Sequence, residues 1–162
     1  MTSDPLVNAN TSILAQIQTH QAAGEWETAA TLLADHAVDL LDRLTAAELA
    51  AIFAPFPKPV ITQSPALWFV AGVIHTRLHA VEEAFVWLAQ AAAYFTNQES
   101  RPDRAIWVNL ELARLYYERD EFARVQEHID AAAALMRQHG SLPPAHAAFL
   151  NYMSASLCGD TG

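Results

Sequence analysis

The chain has one cysteine, Cys158, one lysine, Lys58, and 9 cationic against 18 acidic side chains in 162 residues. A lone thiol excludes an intramolecular disulfide and a closed zinc site made of cysteine pairs. A formal charge of −9 leaves no basic footprint that could displace counterions from phosphates, so nucleic acid is not an expected partner. Lys58 follows Pro57 rather than a glycine, which rules out a G-K-[ST] phosphate-cradling loop. Long hydrophobic runs are also missing. The most apolar one, Ala66 to Ile74, falls well short of the roughly 20 residues of a membrane span. The opening MTSDPLVNAN has neither the basic nor the apolar region of a secretory signal, so the expected location is the cytoplasm, away from any membrane.

Alanine makes up about a fifth of the sequence, leucine is frequent, and only 5 Gly and 8 Pro interrupt. No stretch alternates with a period of two. Apolar residues instead recur every three or four positions, as in Leu67, Val70, Ala71 and Ile74, or Ala84, Trp87, Leu88, Ala91 and Phe95. Stop signals fall at Gly24, Pro55 to Pro59, Ser64-Pro65, Arg101-Pro102 and Gly140 to Pro144. These predict an all-α protein of about eight helices, over 5–23, 25–43, 45–54, 64–78, 80–97, 103–118, 120–139 and 143–158. The three prolines of 55–59 predict a stiff extended connector. Short connections predict antiparallel hairpins over 5–43, 64–97 and 103–139, an extra helix at 45–54 and a capping or half-repeat helix at 143–158, all within a single domain.

The chain repeats itself. With an offset of 41 residues, EEAFVWLAQAAAYF (82–95) lies over RVQEHIDAAAALM (124–136), so that Ala84 meets Val125, Leu88 meets Ile129 and Ala91 meets Ala132. A fainter copy follows the turn at Gly24, with Ala29, Leu33 and Ala37. Short turns, His79-Ala80 and Arg119-Asp120, precede the two stronger copies.

These residues resemble the tetratricopeptide (TPR) family, whose roughly 34-residue pattern is W-x2-L-G-x2-Y…A-x3-F…P. Trp68, Ala71, Gly72 and His75 stand at the first four places of one repeat, followed by Ala84, Leu88 and Ala91. Asn109, Leu112, Ala113 and Tyr116 stand at those of the next, followed by Val125, Ile129 and Ala132. The resemblance implies a right-handed superhelical stack of hairpins. More narrowly, AAGEWETAATLLADHAVDLL, the extra helix, the proline break and PALWFVAGVIHTRL are similar to the repeat region of maltotriose-responsive, LuxR-type transcription activators. That similarity implies a ligand-sensing or regulatory segment of a signal-transduction protein.

Candidate chemistry is thin. His75 and His79 would share a helix face with Glu82 and Glu83 nearby, but there is no H-E-x-x-H and no cysteine pair, so neither a metal nor a cofactor is expected. G-x-S-x-G and G-x-G-x-x-G are absent, and Glu82-Glu83 and Asp120-Glu121 open helices, where negative charge is favoured in any case. No enzyme is expected. The resemblance points instead to a concave groove that binds a peptide or partner protein, lined by Phe69, Val73 and Arg77 of one repeat and by Trp107, Leu110, Arg114 and Tyr117 of the next, with Thr76, Leu14, Gln18 and Gln21 beside them. Aromatic anchors and arginines would serve such a groove. Phe69 and Trp107 could equally pack into the core. A carboxylate clamp of the Lys-x3-Asn kind is missing, since Leu14 and Gln18 hold its places. Phe149, Tyr152 and Leu157 on the last helix would offer a homodimer contact.

Overall fold

The computed structural model describes residues 5–41, 43–96 and 102–139, with the single positions Asn151 and Ala155. The described residues form eight helices and no strand: α1 (Pro5–Ala22), α2 (Trp26–Leu41), α3 (Ala46–Phe53), α4 (Lys58–Gln63), α5 (Pro65–Arg77), α6 (Val81–Phe95), α7 (Pro102–Tyr117) and α8 (Phe122–His139). The all-α class therefore holds. The expected capping helix at 143–158 lies outside the described residues apart from Asn151 and Ala155, both helical and exposed. Chain contacts divide between His79 and Ala80 into two compact units, Met1–His79 and Ala80–Gly162.

The prolines of 55–59 do not form the extended connector expected of them. Pro57 is an extended N-cap (φ −61°, ψ 139°), and α4 starts immediately after it with Pro59 in the first turn. A helix's first N–H groups have no intrahelical acceptor, so a ring nitrogen there forfeits nothing and its fixed φ already suits the helix. The next helix starts in the same way. Ser64 caps α5, its hydroxyl accepting from the Leu67 N–H at 3.4 Å, with Pro65 directly behind it. α3 opens on a capping box. Glu48 N–H donates to Thr45 Oγ1 (3.2 Å), while the Thr45 N–H and hydroxyl both donate to the Glu48 carboxylate (2.8 Å each), and these two bonds to the carboxylate hold it below its usual range.

In the first unit α1 packs on α2, α2 on α3 and α5, and α3 and α4 also pack on α5. Its core holds Ile17, Leu33, Leu40, Leu49, Leu67 and Val70, all fully buried. Gln21 Nε2 donates to the Ile52 carbonyl at 2.9 Å, tying α1 to the end of α3. In the second unit α7 packs on both α6 and α8. Ile106, Leu110 and Ala113 of α7 meet Val125, Ile129 and Ala132 of α8 there.

Two features recur along the chain. The trios matched by the internal repeat, Ala29/Leu33/Ala37 in α2, Ala84/Leu88/Ala91 in α6 and Val125/Ile129/Ala132 in α8, are all buried, none exposing more than 4%. The turns before those helices also share a backbone geometry. Gly24 (φ 74°), His79 (φ 57°) and Asp120 (φ 58°) are left-handed. After α1, Gly24 N–H donates to the Gln21 carbonyl (3.1 Å) and Glu25 N–H reaches back to His20 (2.9 Å). After α7, Asp120 N–H donates to Tyr117 (3.1 Å) and Glu121 N–H to Tyr116 (3.0 Å). Both are Schellman closures, which satisfy the last carbonyls of a helix and reverse the chain.

At these turns the side chain decides the backbone cost. Glycine carries no penalty in the left-handed region, whereas an L-residue carries about 1–2 kcal/mol. Gly24→Ala is therefore expected to destabilise the protein by about 1 kcal/mol or more, and Asp120→Gly to stabilise it by up to about 1 kcal/mol, less the greater chain entropy glycine loses on folding. Urea unfolding followed by far-UV circular dichroism reads both.

Candidate functional site

The expected groove residues divide by burial. Phe69 and Val73 are 1% exposed and Leu110 is fully buried, so these three side chains are core, as is Thr76, whose hydroxyl donates to the Gly72 carbonyl at 2.7 Å. Arg77 is exposed in the last turn of α5. Trp107, Arg114 and Tyr117 are part-exposed, all on α7. Within the second unit, then, α7 supplies what remains at the surface.

α7 is buried along most of its length, yet three of its buried residues are polar or charged: Arg104, Asn109 and Glu111. Positions 104, 107, 111, 114 and 118 follow the alternating three- and four-residue spacing that places side chains on one helix face. Along that face runs a row of alternating charge. The Arg104 guanidinium lies over the Phe95 ring, 5.6 Å from its centroid. Trp107 comes next. The Glu111 carboxylate accepts from Arg114 Nε (3.3 Å) and Nη2 (3.2 Å), and Arg114 Nη1 donates to Glu118 at 3.2 Å. Arg114 is thus held by Glu111 of its own helix and by Glu118 in the turn that follows it. Any further carboxylate would have to compete for it, and the part-exposed Trp107 and Tyr117 lie on either side of it along the helix. Tyr117 meets Phe122 of α8 edge to face at 5.9 Å.

A second cluster joins α6, α7 and α8. Arg119 pairs with Glu82 and places its guanidinium 4.3 Å from the Phe85 ring centroid. Phe85 meets Tyr116 edge-on at 4.8 Å, and Tyr116 stacks on His128 at 5.3 Å with only 12° between the planes. His128 Nδ1 lies 2.9 Å from Asn109 Oδ1. Because Asn109 Nδ2 donates to the Ala105 carbonyl (2.8 Å), the amide oxygen is the acceptor and His128 carries its proton on Nδ1. Burial pushes the His128 imidazole below its ordinary value; the Glu127 carboxylate opposes that shift and Arg124 adds to it.

The sequence pattern did not single out this cluster. Asn109 and Tyr116 occupy the first and fourth places of a repeat, but His128 stands 19 residues from Asn109 on another helix, and only the hairpin register joins them. The Glu111–Arg114–Glu118 row was readable from its spacing alone.

Nothing in the geometry gathers a metal site: among the described residues no three His, Cys, Asp or Glu side chains come together. His75 is half-buried on α5, and His79 is taken up by its left-handed turn. No described helix is long and apolar enough to cross a membrane.

The depressed imidazole has a consequence for stability. Between the native His128 pKa and the ordinary value near 6.5, the unfolded chain binds more protons than the native one. The stabilisation is therefore complete above that ordinary value and is lost as pH falls through the native one. His128→Gln is expected to flatten the fall in unfolding free energy between about pH 7 and pH 5. Denaturant titrations of both proteins at each pH measure it, and parallel curves would refute it.

Compared with protein-family models, with curated proteins and with solved structures, the chain matches none.

Proposed function

We propose that the chain is a non-enzymatic binding module built from TPR-like hairpins, arranged as a right-handed stack, that holds a peptide or partner protein against α7. The observation that supports this reading is the face of α7 itself. Trp107 and Tyr117 are part-exposed on either side of Arg114, itself part-exposed, and Glu111 and Glu118 hold that arginine. Large aromatic side chains held on a rigid element are what recognition surfaces use, because they supply contact area with little loss of side-chain entropy. The hairpin reading itself rests on the three buried trios and the left-handed turn that precedes each of their helices. Phe69, Val73 and Leu110 then serve as packing beneath the surface rather than as contacts.

Affinity capture from a lysate of the source cells tests the proposal, with Trp107→Ala beside the wild type and circular dichroism checking that both are folded. A protein held by the wild type should bind the variant at least tenfold more weakly, as loss of an aromatic anchor implies. Identical retention by the two would remove α7 from the binding surface. Thermal stabilisation by a saturating small molecule, with no protein retained, would favour the ligand-sensing alternative.

A further inference from the structure

We draw no further inference here: the strongest candidate, the surface patch at the α7–α8 turn where Tyr117 meets the exposed Phe122 beside Glu118, Asp120 and Glu121, is an aromatic pair next to an acidic cluster, and nothing in the structure shows what covers it.

Discussion

The second unit depends on one constraint, the enclosure of polar groups in α7. A helix packed on two neighbours buries whatever its sequence places there, and α7 places Arg104, Asn109 and Glu111 there. A buried polar group without a partner costs about 1–3 kcal/mol, and a charged one more. For Asn109 and Glu111 the helix meets that demand locally and across its neighbours. Asn109 turns its amide back to Ala105 and forward to His128, while Glu111 receives Arg114. Each of these bonds also fixes a rotamer, so the part-exposed side chains of the same helix inherit a rigid base.

The cluster at the other side of α7 works by shape as much as by hydrogen bonds. Arg119 over Phe85, Phe85 against Tyr116 and Tyr116 on His128 form a continuous line of flat groups through α6, α7 and α8. Aromatic pairs in tilted or offset arrangements contribute about 0.5–1.5 kcal/mol beyond their area. Such contacts fix the relative rotation of two helices, which apolar side chains of interchangeable shape fix poorly.

Helix positions were legible in the sequence because punctuation and period agreed. Gly24, Ser64-Pro65 and Pro102 each mark an observed boundary. α4 was not legible, because a string of alternating prolines reads as extended chain unless the cap geometry at Pro57 is known. The site was legible only in part. Phe69, Val73 and Leu110 sit at register positions that would face a groove, yet a large apolar residue has the same hydropathy whether it lines a groove or fills a core. Burial separates the two, and burial depends on what packs opposite. The engagement of Arg114 by Glu111 and Glu118 was open to reading from three- and four-residue spacing. The link between Asn109 and His128 was not, since it requires the register of one helix against another.

The two Schellman turns also bear on how the chain acquires its shape. Each closes a hairpin through hydrogen bonds between residues only three to five apart, so reversal of the chain is encoded locally. Helical proteins dominated by such short-range contacts have low contact order and fold within microseconds to milliseconds, because little loop entropy is lost before the first favourable contacts form. A hairpin that assembles this quickly leaves its apolar stripe unpaired only briefly. For a sequence as rich in alanine and leucine as this one, that short interval limits the time in which nascent chains can aggregate.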